Sequence, residues 1–161
     1  MFRYLMLFVL SVSWFAHAGH HEPHNHSNPI MVSDIWIKAP LPGSTATAAY
    51  LVINNHGTVD DKLVGVDSGF AKINEIHEMK MDNGVMRMRQ VEAGVPIPAG
   101  EQVNLGPGGS GLHIMLYNLI QELNPGQTYD IQLEFEVVGS ITVPAKVKKN
   151  KGDSNEHQHH H

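Results

Sequence analysis

The chain has 161 residues, with 11 Lys and Arg against 16 Asp and Glu, a formal charge of −5 and no cysteine. That length fits one domain plus tails and is enough to bury a core without cross-links. Lack of Cys excludes disulfides, a thiolate metal site, thiol redox chemistry and a lipid-modified cysteine within these residues, and the sparse Lys and Arg, with no basic stripe, argue against nucleic-acid binding.

Residues 1–18 read as a secretory signal peptide. Arg3 supplies a positive start, Tyr4 to Phe15 is largely apolar, and Ala16-His17-Ala18 is a small-x-small cleavage site. The apolar run falls short of the roughly 20 residues a spanning helix needs, so cleavage is expected rather than a retained anchor, with no stable membrane insertion afterwards. Loss of Arg3 takes the charge from −5 to −6, a balance compatible with a cation cargo but not requiring one.

Residues 19–33 form a His-rich N-terminal segment. Gly19 to Asn28 reads GHHEPHNHSN, polar and without apolar periodicity, and is expected to be disordered. Cleavage after Ala18 exposes Gly19-His20-His21, whose amine, two backbone nitrogens and third-position imidazole suit square-planar Cu(II) or Ni(II). A solvated tail of accidental sequence is the other reading.

From 34 to 148 the pattern is β throughout. Short β-prone runs occur at Ile35 to Ile37, Ala48 to Ile53, Lys62 to Val66, Asn74 to Met81, Val85 to Val91, Glu101 to Leu105, Leu112 to Leu116, Tyr129 to Val138 and Ile141 to Val147. Turn signals separate them, among them Pro40-Leu41-Pro42-Gly43, Asp82-Asn83-Gly84, Pro107-Gly108-Gly109 and Asn124-Pro125-Gly126. Seven to nine strands at this spacing predict a sandwich or barrel of antiparallel strands. Trp36 and Tyr50 are expected as core anchors, and His56, in an Asn-Asn-His-Gly turn, as a solvated loop residue.

Two stretches within this region carry chemistry: His77-Glu78-Met79-Lys80-Met81-Asp82-Asn83-Gly84-Val85-Met86-Arg87-Met88, and His113-Ile114-Met115. Of the six methionines beyond the leader, five lie here. Imidazole and thioether are neutral ligands that suit Cu(I). If Asn83-Gly84 forms a two-residue primed turn, Asp82 faces Val85, Met81 faces Met86, Met79 faces Met88 and His77 faces Gln90, whereas a three-residue loop would shift this register. Strand alternation then puts His77, Met79, Met81, Met86 and Met88 on one face. On the later strand His113 and Met115 point one way, and Leu112, Ile114 and Leu116 point to the core. Methionines are most often flexible core filler, and an exposed Met patch can also be a docking surface. Their phase with two histidines favours metal ligation.

The C-terminal tail, 149–161, is again polar and His-rich. Eight of the eleven histidines beyond the leader sit in the two tails, a composition that suits Cu(II), Ni(II) or Zn(II). The final His159-His160-His161 reads as native sequence rather than the remnant of a tag.

From about Asp34 to Lys149 the chain resembles the periplasmic copper chaperones called PCuAC, whose pattern is His, ten residues, Met, about twenty-one residues, then His-x-Met. His77 and Met88 enclose ten residues, and His113-Ile114-Met115 supplies the second half, after a spacer of twenty-four residues rich in Gly and Pro. Trp36-Ile37-Lys38-Ala39-Pro40, Ala48-Ala49-Tyr50-Leu51, Asp61 to Val66, Ile97-Pro98-Ala99-Gly100 and Leu105 to Gly109 are further family-like phrases.

The resemblance implies a cupredoxin-like Greek-key β-sandwich that holds one Cu(I) through His77, Met88, His113 and Met115. It also implies delivery of copper to the dinuclear centre of cytochrome c oxidase subunit II, with a thiol-bearing partner of the Sco type, in the periplasm. His-rich tails in such proteins are associated with a second, Cu(II) site. Met79, Met81 and Met86 stay open between alternative ligands, a sulfur-lined guide and packing around the site.

The ligand chemistry agrees with carriage. Two thioethers and two imidazoles hold Cu(I) without deprotonated thiols and release it by exchange. A blue-copper carrier needs a Cys thiolate among its copper ligands, and no nucleophile with an adjacent base stands out, so no enzyme is expected. Two other readings remain: a periplasmic metal buffer or resistance protein dominated by its His tails, and a non-metal β-sandwich interaction module.

Overall fold

The structure, a computed structural model, describes residues 28–149. The signal peptide, Gly19-His20-His21 and nearly all of both His-rich tails lie outside the described residues. Ten strands make up the described part: β1 Ile30–Lys38, β2 Ala46–Asn55, β3 Asp61–Asp67, β4 Ala71–Asp82, β5 Val85–Gln90, β6 Val95–Ile97, β7 Gln102–Leu105, β8 Leu112–Leu119, β9 Thr128–Phe135 and β10 Gly139–Lys148. No described helix is long and apolar enough to cross a membrane.

The strands hydrogen-bond in the order β5-β4-β8-β2-β1-β10-β9-β3-β6, with β7 also on β2. β2 is long enough to serve two partners end to end: Ala46 to Ala49 pair with β8, and Leu51 to Asn54 pair with β7. The chain between those partners, Gly106 to Gly111, lies beside the hairpin of β4 and β5, where the Gly111 carbonyl accepts the Met79 N–H. β1 is broken by an irregularity between Ser33 and Trp36, where Asp34 takes φ 51°. Bulges of this kind sharpen the twist. This one lies between the Ile30 to Ser33 part, paired only with β2, and the Trp36 to Lys38 part, paired also with β10.

One apolar cluster joins the two arms of the sheet. Ile76, Ile114 and Leu116 come from the β4-β8 arm, and Leu63, Ile131, Leu133 and Phe135 from the β3-β9 arm. Strand alternation builds it: in β9, Ile131, Leu133 and Phe135 are buried while Thr128 and Asp130 are exposed. The result is the cupredoxin-like β-sandwich expected. Two buried polar side chains tie its connections: Asp61 accepts the backbone N–H groups of Val137 and Val138, at 2.9 and 3.1 Å, and Asn55 donates to the carbonyls of Val59 and Ile97.

The fold departs from the sequence reading in three respects. The strand count is ten, because Val95-Pro96-Ile97 forms a short β6. Its central Pro donates no ladder hydrogen bond, and β6 is tolerated because it pairs only with β3 at the sheet margin. Pairing is not wholly antiparallel, since Trp36 to Lys38 of β1 run parallel to Lys146 to Lys148 of β10. Trp36 and Tyr50 are not core anchors. Tyr50 shares the parity of Ala48, which pairs with Met115, and Trp36 pairs with Tyr50, so both rings lie on the outer face of the site arm. There they stack on each other with centroids 4.6 Å apart, and Lys148 Nζ stands 5.7 Å from the Trp36 ring centre.

Candidate metal centre

The hairpin of β4 and β5 has the register its sequence predicts. Asn83 and Gly84 take φ 51° and 80°, the left-handed pair a primed turn requires. Asp82 therefore opposes Val85, Met81 opposes Met86, Met79 opposes Met88 and His77 opposes Gln90. On its other side β4 pairs with β8, which sets His77 directly across from His113 and Glu75 across from Met115. One outer face thus carries Glu75, His77, Met79 and Met81 from β4, Met86 and Met88 from β5, and His113, Met115 and Tyr117 from β8. Ile114 and Leu116, of opposite parity, are wholly buried.

Each histidine has one nitrogen committed to an oxygen acceptor and the other turned elsewhere. His113 Nδ1 lies 3.0 Å from the Gly111 carbonyl, which only accepts, so Nδ1 carries the proton and Nε2 presents its lone pair. Met88 Sδ is 3.2 Å from that Nε2. His77 Nε2 lies 2.7 Å from Glu75 Oε2, again an acceptor when ionised, which leaves Nδ1 as the lone-pair nitrogen. That Nδ1 is buried and has no hydrogen-bond partner among the described residues. Both residues are only 8% exposed, and a buried polar atom left unpaired costs about 1–3 kcal/mol. The ring centroids are 6.0 Å apart, a gap that two metal–nitrogen bonds of about 2 Å plus the ring radii span.

Of the four expected ligands, the structure pairs His77 with His113 across the ladder and brings Met88 into contact with His113. Met115 shares the face one rung further along β8, half-buried between Glu75 and Ala48. Among the described residues no three His, Cys, Asp or Glu gather around a point, so an ion here draws on thioethers beyond its two imidazoles. Such a donor set is neutral and soft, suited to Cu(I) rather than to Zn(II) or Mg(II). His56 is exposed in its turn, as expected.

The sequence reading missed four residues of the site. Glu75 orients His77, and Gly111 orients His113, its carbonyl also accepting the Met79 N–H at 3.0 Å. Gly111 has φ +83°, and a Cβ there would collide with the Met79 carbonyl oxygen, so glycine alone permits this close approach. Tyr117 places its ring 6.0 Å from that of His77; burial, and then the Glu75 charge, raise its phenol above the ordinary range. Tyr50, its phenol raised by burial, lines a cleft of about 500 Å³ with Met79, Met86, Gly111 and His113. Glu75 and Gly111 each stand two residues before a histidine, the position that alternation returns to the same face, and that was the available signal.

The pattern of the family described as "Putative lipoprotein LpqE-like" matches residues 30–147. A relative from Leifsonia xyli subsp. xyli (strain CTCB07), "Putative lipoprotein Lxx21020", is 35% identical over 135 residues, 84% of this chain and 79% of its own length. Among solved structures, the copper-bound PCuAC domain from PmoF2 superposes with a TM-score of 0.64 at 24% identity, over 76% of this chain and 94% of that one. Apo-DR1885 from Deinococcus radiodurans gives 0.59 at 26% identity, over 93% and 98%. Its Cu(I) form gives 0.59 at 30% identity, over 73% and 76%. The chain therefore belongs to the LpqE-like family and has the fold of the PCuAC copper-chaperone domains.

Proposed function

We propose that this protein is an exported copper carrier, which holds one Cu(I) at the outer face of β4, β5 and β8 through His77, Met88, His113 and Met115. The observation that carries this reading is the pair of oriented imidazoles: a buried His77 Nδ1 without a partner, and a His113 Nε2 lone pair facing the Met88 thioether at 3.2 Å. Copper in PmoF2 and Cu(I) in DR1885, bound by proteins of this fold, supports the choice of ion. Tethering of the two rings by Glu75 and Gly111 holds them in place before metal arrives and raises their strength as ligands.

The role is carriage, not catalysis. A neutral donor set whose thioethers are half-exposed releases Cu(I) to a partner offering thiolates or more ligands. The acceptor in this reading is the dinuclear copper centre of cytochrome c oxidase subunit II, reached with a Sco-type thiol protein, in the periplasm after cleavage of the leader. Both choices rest on the family resemblance. The lipoprotein names of the relatives fit export, although these 161 residues hold no cysteine to carry a lipid. The His-rich tails supply a separate Cu(II) capacity.

An anaerobic Cu(I) titration against a chromophoric competitor tests the site. The processed chain is expected to take up one tightly held equivalent that is lost in His113→Ala and weakened in Met88→Leu. Tight binding that survives both substitutions, and disappears only when the tails are removed, would replace the carrier by a tail-dominated buffer.

A further inference from the structure

The site above uses one of the four hairpin methionines, Met88, and leaves Met79, Met81 and Met86 without a role. They are not core filler. All four hairpin thioether side chains are between 45% and 61% exposed, and none belongs to the apolar cluster.

Their ladder positions are particular. Val91 N–H donates to Ile76 O at 2.8 Å, while Met79 N–H turns away from β5 to the Gly111 carbonyl. Hydrogen-bonded pairs in this hairpin are thus Glu78 with Arg89, Lys80 with Arg87 and Asp82 with Val85. Met79 with Met88, and Met81 with Met86, are the non-hydrogen-bonded pairs. Such pairs have Cα atoms only about 4.5 Å apart and the closest side chains of an antiparallel ladder. Two successive thioether rungs therefore lie about 7 Å apart on one face.

Neither rung itself holds a charged residue, although Met81 also borders a cleft with Glu78, Lys80, Asp82, Arg87 and Arg89. The basic side chains of β5 are drawn to the opposite face, where Asp82 Oδ2 lies 3.4 Å from Arg87 Nε and 2.9 Å from Arg89 Nη2. Met79 and Met86 also line the cleft that reaches His113. Thioethers on flexible three-torsion side chains converge readily, and three of them select a soft monovalent ion over Zn(II) or Cu(II).

The geometry points to a second, outer Cu(I) site made by the thioethers of Met79, on the rung of Met88, and of Met81 and Met86, one rung nearer the hairpin tip. Lacking imidazole and facing solvent, it holds the ion more weakly than the inner site and exchanges it faster. It rests on the carrier reading only for the natural identity of the ion, since its donor chemistry stands alone.

The test is methyl NMR of the full chain labelled with ¹³C at the methionine methyls, titrated with Ag(I) as a redox-silent stand-in for Cu(I). The methyls report each methionine separately, so ion held by the tail histidines does not obscure them. Met88 and Met115 are expected to move first, and Met79, Met81 and Met86 in a later event. In the variant Met81→Leu the remaining Met79 and Met86 methyls are expected to lose the later event or to need more Ag(I) for it, while the first event, with intact signals that show the protein is folded, is kept. His113→Ala loses the first and keeps the later one. Hairpin methyls that stay unmoved through excess Ag(I) while Met88 and Met115 respond would overturn the outer site and assign the exposed thioethers to protein docking. Movement of the hairpin methyls alone would sustain the outer site and count against the inner one.

Discussion

At His77 a single hydrogen bond decides which nitrogen is available. Glu75 accepts a hydrogen bond from the Nε2–H, and the buried Nδ1 is left as a lone pair. Carboxylates that hold a ligating imidazole in this way are worth about 10–100-fold in metal affinity. Glu75→Ala is accordingly expected to weaken Cu(I) binding by about that factor in a competition titration, and Glu75→Gln, which keeps an acceptor oxygen, by less. At His113 the equivalent anchor is a backbone carbonyl, which no side-chain substitution removes. Gly111→Ala acts on it indirectly, because the new Cβ meets the Met79 carbonyl at a φ of +83°. Thermal denaturation should register a loss of about 1–3 kcal/mol for this strain, accompanied by weaker Cu(I) binding. His77, Met88, His113 and Met115 were legible as candidates because imidazole and thioether recur in phase. Glu75 and Gly111 were not, since a lone carboxylate and a loop glycine have many commoner uses. Tyr50 was misplaced because an aromatic in an apolar run looks like core until the register shows which face it shares.

At the scale of elements, the hairpin of β4 and β5 is where sequence and structure agree most closely. Asn83-Gly84 admits few backbone solutions, and once the turn is set every pairing down to His77 and Gln90 follows. β5 pairs only with β4, and all six of its residues are exposed, so the position of Met88 depends on that turn far more than on burial. Replacing Asn83 and Gly84 with alanines should fray β5, seen as faster amide exchange from Val85 to Gln90. Cu(I) affinity should fall with it, while the melting temperature moves little. What stayed hidden was non-local. The parallel contact of β1 with β10, the sharing of β2 by β7 and β8, and the three-residue β6 all depend on partners distant in sequence, and local patterning does not encode them.

Across the whole molecule, the core and the candidate metal site occupy opposite faces of the same strands. Ile114 and Leu116 fill the sandwich, while His113 and Met115 between and beside them look outward. The core should therefore tolerate loss of the site, and the site should tolerate weakening of the core. Leu133→Ala, at a wholly buried position of β9, is expected to cost about 2–5 kcal/mol in denaturant unfolding and to leave Cu(I) affinity unchanged in the folded protein. A change in both would mean that the two faces are coupled.

The ligand shell of the loaded protein bears most directly on the carrier reading. X-ray absorption on the processed chain at one equivalent of Cu(I) is expected to show a mixed shell of two nitrogens and two thioether sulfurs, with nitrogen lost in His113→Ala and sulfur lost in Met88→Leu. A shell of nitrogen alone, unaltered by either substitution, would contradict a site at His77, Met88, His113 and Met115.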